Sequence, residues 1–206
     1  MTAAARGEAR TFGVMFVCFG NLCRSPMAEG LAREAVAADH HTRGRVVVES
    51  AGLAAMDGER AAHEAVRTMA ARSIDISGHR ARTVTREMLR RSDLVLAMED
   101  RHTERLAAMC PDAAVYTLLR LGEAARLVLR SPSAAGRRPA GARLRLGILE
   151  DEAARLEREG LWELERRGYD VPDPIGWRAE GYEEVARLME PPVRDVMAAL
   201  FGPDTS

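Results

Sequence analysis

A chain of 206 residues, 47% hydrophobic and 30% charged, is long enough for one domain with a full core and has an ordinary soluble composition. Its net charge of −1 gives no reason to expect nucleic acid or an anionic membrane as partner. Three cysteines (Cys18, Cys23, Cys110) are too few for a disulfide scaffold; with a polar N-terminus and no apolar run of membrane-spanning length, a cytoplasmic protein without membrane insertion is expected.

In chain order, residues 1–10 read as a flexible tail. Thr11 to Val17, dense in Val, Met and Phe, reads as a buried strand. Met27 to Ala38 has the spacing of a helix, with Met27, Leu31 and Ala35 on one face. Arg45 to Ser50 is a second strand rich in β-branched residues, closed by Ala51-Gly52. Glu59 to Arg72 is expected to be helical, with Ala62, Val66 and Met69 recurring on one side. Asp93 to Met98 is a third strand, Asp100 to Met109 a short helix stopped by Cys110-Pro111, and Ala113 to Leu118 a fourth strand. Strands that are apolar on both faces and alternate with helices imply a parallel sheet covered on both sides.

The composition changes at Ser131 to Ala142, a small, Pro- and Gly-containing stretch expected to be a flexible loop. Leu149 to Leu164 then looks helical, with Asp151/Arg155 and Glu163/Arg167 four apart as surface ion pairs. Residues 125–168 read as an insertion within a single domain of residues 11–206. Asp170 to Gly176 is a turn cluster in which two prolines restrict Asp173. Ala179 to Phe201 closes the chain as a helix with Tyr182, Val185, Met189, Val193, Val196 and Leu200 inward, and Pro191-Pro192 is expected to break or kink it.

The run Val17-Cys18-Phe19-Gly20-Asn21-Leu22-Cys23-Arg24-Ser25-Pro26 carries the chemistry. A strand, a tight loop and a helix N-terminus converge backbone N–H groups and a helix dipole on one spot, which suits an anion. A thiol there is favoured as its thiolate, and an arginine six positions on supplies a planar fork for two phosphate oxygens. Gly20 and Asn21 suit left-handed backbone. Cys18 therefore reads as a nucleophile for phosphorus. The backbone from Phe19 to Arg24 and the Arg24 guanidinium would hold the phosphoryl oxygens, and Ser25 would hydrogen-bond the sulfur. Cys23 has two readings, a partner for a reversible disulfide with Cys18 or a small packing residue.

This run resembles the signature loop of the low-molecular-weight protein tyrosine phosphatase family. Ser50-Ala51-Gly52, Ser77-Gly78-His79-Arg80-Ala81-Arg82, Met98-Glu99 with His102, and Val171-Pro172-Asp173-Pro174 resemble further segments of it in the same order. The resemblance implies a flavodoxin-like three-layer α/β sandwich. Its four-stranded parallel sheet would have order 2-1-3-4, with the helical insertion ahead of the Asp-Pro loop and the site at the carboxyl ends of the strands.

By the same resemblance, Cys18 is the nucleophile, Arg24 the phosphate-binding arginine and Asp173 the acid that protonates the leaving oxygen and later activates water. Asn21, Ser25, Ser50 and His79 would support the loop. Phe19, Gly20, Asn21, Leu22, Cys23, Ser25 and Trp177 would line the substrate site, with Phe19 and Trp177 as aromatic walls. No metal or cofactor is implied, and the implied partner is a phosphotyrosine-bearing protein such as a bacterial tyrosine kinase. Related protein arginine phosphatases have threonine at the position of Leu22, which favours phosphotyrosine over phosphoarginine here. An arsenate reductase of the same fold and a non-enzymatic phosphoprotein binder are the other readings. Ile175-Gly176-Trp177 and Met56 depart from the family's aromatic pattern and bear on the pocket rim.

Overall fold

The computed structural model describes residues 11–37, 44–131, 141–162 and 168–202. The expected tail at residues 1–10, most of the expected loop after Ser131 and the Glu163/Arg167 pair lie outside them. Four strands, β1 (Phe12–Cys18), β2 (Val46–Gly52), β3 (Leu94–Ala97) and β4 (Val115–Thr117), form one parallel sheet of order β2-β1-β3-β4. Among the described residues seven helices accompany it: α1 (Arg24–Ala37), α2 (His63–Ala70), α3 (Arg86–Arg91), α4 (Asp100–Met109), α5 (Leu118–Arg130), α6 (Ala142–Glu159) and α7 (Ala179–Phe201).

The period-two alternation of β1 divides the core in two. Phe12, Val14, Phe16 and Cys18 point to a cluster with Met27 and Leu31 of α1, Leu118 and Leu121 of α5, and Val185, Met189 and Val196 of α7. Met15 and Val17 point the other way, to Met88 and Leu89 of α3 and Leu106 of α4. The result is the three-layer flavodoxin-like sandwich, with β1 buried on both faces.

Two helices carry no counterpart among the expected elements. α3 is a six-residue helix started by Thr85, whose side chain accepts from Met88 N. α5 follows β4 without a gap, because the Thr117 side chain accepts from Arg120 N and starts a helix there. The second half of α5 makes up the first residues of the 125–168 stretch, and the whole helix packs along α7. α2 starts at His63 rather than Glu59, because residues 59–62 pair elsewhere: Ala81 N donates to Glu59 O, and Ala62 N to Leu22 O.

The helix in the 142–159 stretch starts seven residues before the expected Leu149 and ends at Gly160 in left-handed conformation, φ 61°. It buries Leu146, Leu149, Ala153 and Leu156 against α5 and α7. Arg155 pairs with Glu152 at 2.7 Å and Glu159 at 2.7 Å, not with the expected Asp151. Pro191 and Pro192 do not break α7, which runs from Ala179 to Phe201. Pro192 instead seats on Gly122 of α5, where an added Cβ would lie 2.2 Å from the proline Cβ.

Candidate active site

The strand β1 ends at Cys18, and α1 begins at Arg24, so the five residues between them form a loop at the carboxyl edge of the sheet. Neighbouring segments hold its carbonyls from outside. Leu53 N donates to Cys18 O, Ala54 N to Phe19 O, Ala62 N to Leu22 O, and His79 Nε2 lies 2.8 Å from Asn21 O. No peptide bond here is cis, and a trans peptide that turns its C=O outward turns the following N–H inward. The N–H groups of Phe19, Gly20, Leu22 and Cys23 therefore face the hollow of the loop.

Asn21 is the pivot. It takes a left-handed conformation, φ 56°, which its short amide side chain tolerates. Its backbone N donates to Cys18 Sγ at 3.2 Å. Its Nδ2 donates to Ser25 Oγ and to Ser50 Oγ, both at 2.9 Å, and its Oδ1 accepts from Arg82 N at 3.0 Å. Ser50 Oγ in turn donates to Glu29 Oε2 at 2.5 Å. Ser25 Oγ lies 3.0 Å from Cys18 Sγ. Gly20 does not take the left-handed backbone expected of it, and nothing but the Leu22 side chain lies near where its Cβ would be. The glycine the loop needs is Gly52: a Cβ there would stand 2.7 Å from Phe19 O and 2.9 Å from Asn21 N.

Arg24 is fully buried. Its Nη1 donates to Glu99 Oε1 at 2.5 Å and to Val171 O at 3.0 Å, and its Nη2 to Asp173 Oδ2 at 2.6 Å. Its Nε is buried with no hydrogen-bond partner among the described residues. Glu99, a residue without an expected role, also pairs with Arg101 at 2.5 Å. Burial works against the Glu99 carboxylate, but the bonds from Arg101 and Arg24 outweigh it and hold its pKa below the ordinary value. His102 packs behind, its Nε2 3.5 Å from Glu99 Oε1, and burial pushes its pKa down. Burial lowers that of His79 as well.

Asp173 reaches the site from a segment tied to the end of β3. Val171 N donates to Met98 O at 2.8 Å, and Asp170 Oδ1 accepts from Asp100 N at 2.8 Å, capping α4. Cys23 is buried with its Sγ 3.7 Å from Tyr182 Oη, and burial pushes its pKa up to about 12, so it is a neutral thiol. All three cysteines are free. Phe19 is 46% and Trp177 48% exposed, and with Met56 and Ile175 they count among the exposed large apolar side chains. Leu22 is partly buried against the larger core cluster. Among the described residues no group of three His, Cys, Asp or Glu converges as metal ligands do, and no helix is long and apolar enough to cross a membrane.

The sequence profile described as "Low molecular weight phosphotyrosine protein phosphatase" matches residues 13–128, more than half of the chain. The low molecular weight protein-tyrosine-phosphatase Wzb of Escherichia coli (strain K12) is 41% identical over 99 residues, 48% of this chain and 63% of that protein. The match thus spans just under two thirds of that relative. Among solved structures, the tyrosine phosphatase amsI of Erwinia amylovora superposes with a TM-score of 0.63 at 21% identity, covering 95% of this chain and 97% of that one. The YwlE arginine phosphatase from Geobacillus stearothermophilus superposes with a TM-score of 0.62 at 22% identity, covering 90% of each chain. At these identities the superpositions speak to the fold.

Proposed function

The chain belongs to the low molecular weight phosphotyrosine protein phosphatase family, and on that premise we propose that it hydrolyses phosphotyrosine in proteins through a phosphocysteine at Cys18, without a metal. The observation that carries the reading is one contact set. Cys18 Sγ meets the Asn21 amide and Ser25 Oγ, while Arg24, six positions on, is ion-paired with Asp173. The loop that holds the Cys18 sulfur thus runs directly into the arginine that holds Asp173, which supports the roles of nucleophile, oxyanion fork and acid.

In this mechanism the phosphoryl group enters the hollow lined by the inward N–H groups and engages Arg24, whose buried Nε is an unused donor. Cys18 Sγ attacks phosphorus as the bond to the phenolic oxygen breaks, and Asp173 gives that oxygen its proton. Asp173 then takes a proton from water as the water oxygen attacks phosphorus. The S–P bond breaks, phosphate leaves, and the Ser25 hydroxyl and Asn21 amide receive the charge on sulfur. Phe19 and Trp177 flank the aryl ring, and Leu22, which offers no hydroxyl, disfavours a phosphoguanidinium. Phosphotyrosine on a bacterial tyrosine kinase is the partner chemistry this reading favours, in the reducing cytoplasm that three free thiols suit.

The test is hydrolysis of matched phosphotyrosine and phosphoarginine peptides in the presence of a chelator, by wild type and Cys18→Ser. Turnover of phosphotyrosine that is lost in the variant is expected. Preference for phosphoarginine would overturn the substrate assignment, and persistence of turnover in Cys18→Ser would overturn the mechanism.

A further inference from the structure

The first turn of α7 reaches both loops of the site. Tyr182 is buried, and its hydroxyl accepts from the Cys23 thiol at 3.7 Å, the cysteine next to Arg24 in the nucleophile loop. The Gly176 N–H, three residues past Asp173, acts on the same oxygen in the sense of a donor, against the burial that raises the Tyr182 pKa. One residue before Tyr182, Gly181 provides the seat for Trp177: a Cβ there would come within 2.6 Å of the indole Cε3. The acid loop is closed on itself between these points. Trp177 N donates to Pro174 O at 2.8 Å, Ile175 N to Asp173 Oδ1 at 3.2 Å, and Gly176 turns with φ 78°.

We propose that Tyr182 is a positioning residue for the general acid: its hydroxyl clasps the loop bearing Asp173 to the loop bearing Cys18. Burial holds Cys23 as the thiol, so its hydrogen is available to the Tyr182 oxygen. A phenylalanine at 182 would fill the same core space, so the hydroxyl serves something other than packing. A buried hydroxyl between two loops is worth its desolvation only when satisfied, and here the Cys23 thiol that bonds it and the Gly176 N–H that acts on it come from these two loops rather than from the core.

The inference rests on the phosphatase reading, and its test is built to separate the two. Wild type and Tyr182→Phe are compared on aryl phosphates whose leaving phenols range from acidic to weakly acidic. An acidic phenol departs without help, whereas a weakly acidic one needs the proton from Asp173. The expected result is a loss in kcat/KM of about 3- to 10-fold for phenyl phosphate and phosphotyrosine, the equivalent of one neutral hydrogen bond, with little change for p-nitrophenyl phosphate or for inhibition by inorganic phosphate. An equal loss across the series, or none, overturns the proposal.

Hydrogen exchange at Gly176 N–H is read alongside, independent of turnover. It should be at least several-fold faster in Tyr182→Phe, with the central strand amides unchanged. If wild type turns over no aryl phosphate, the phosphatase reading fails. Unaltered exchange at Gly176 sinks the clasp in either case.

Discussion

The Arg24 guanidinium holds three partners at once, and one of them is the residue proposed as the acid. Glu99 and Val171 O both bind Nη1 and fix the plane of the fork, while the bond to Asp173 uses Nη2, a donor the substrate phosphoryl would need. On the proposed mechanism, substrate entry would exchange the Asp173 contact for a phosphoryl oxygen and free the carboxyl to face the leaving group. Asp173→Ala should lower turnover of poor aryl leaving groups by about 10²- to 10⁴-fold, the usual range for a lost general acid. Inhibition by inorganic phosphate or vanadate should stay the same or tighten, because the variant removes a competitor for Arg24. Steady-state kinetics with an oxyanion titration decides it: a parallel loss of turnover and oxyanion binding would make Asp173 a structural partner of Arg24 only. The residues of this set that the sequence displays are those in short, spaced motifs: Cys18, Arg24, Ser25, Asp173. Glu99, Gly52 and the Tyr182 hydroxyl act through contacts made across the chain, 75 residues from Glu99 to Arg24 and 159 from Tyr182 to Cys23. Gly52 and Glu99 stand in segments the resemblance picks out, but nothing local gives their roles; for Glu99 the signal is an acidic residue directly after an apolar run.

At the scale of elements, strands were legible because each is a run of apolar or β-branched residues bounded by turns, and the order β2-β1-β3-β4 is the one the family resemblance implied. Helices failed to announce themselves where a cap hides inside an apolar run. Thr117 ends β4 and starts α5 in the same step, so the apolar residues from Val115 to Leu119 pass from strand to helix without a break in pattern. The two prolines of α7 do not interrupt it. They break a helix only where their missing N–H groups and rings cannot be accommodated, and here Gly122 leaves room for one of the rings. That contact carries a prediction. In Gly122→Ala the new Cβ would fall 2.2 Å from Pro192 Cβ and 2.8 Å from its Cα. Neither neighbour is a flexible chain end, so α5 and α7 must separate. The expected cost is about 2 kcal/mol, seen as a melting temperature about 4–8 °C lower. KM for an aryl phosphate should not change, because the contact lies in the helical layer and not in the Cys18 loop. A variant as stable as wild type would mean that the two helices slide without penalty.

For the molecule as a whole, the buried titratable groups set how stability depends on pH, and they act in two separate windows. His79 and His102 stand behind the Cys18 loop and the Arg24–Glu99 pair, and burial depresses both from 6.5. The unfolded chain thus takes up protons near pH 6.5 while the folded one does not, so their contribution is complete above that value and is lost as pH falls through the lower folded pKa. Glu99 and Glu183, held below 4.5 by arginine partners that outweigh or meet little burial, add to the loss only in more acidic solution. On the alkaline side burial raises Cys23 from 9.0 to about 12 and Tyr116 from 10.0 to about 12. Their unfolded forms ionise first, so stability present below pH 9 declines as pH rises through the folded values. Urea midpoints measured with a reductant should therefore form a plateau between about pH 7 and 8.5 and fall on both sides. Two variants assign the slopes whatever their absolute stability. His102→Gln should flatten part of the decline between pH 6.5 and 5.5, and Cys23→Ser, whose hydroxyl does not titrate there, part of the decline above pH 9. A midpoint constant from pH 5.5 to 7.5 in wild type would show that the histidines are protonated as readily in the fold as outside it. The structure argues against that outcome, because His102 has neither ring nitrogen hydrogen-bonded among the described residues and is 1% exposed.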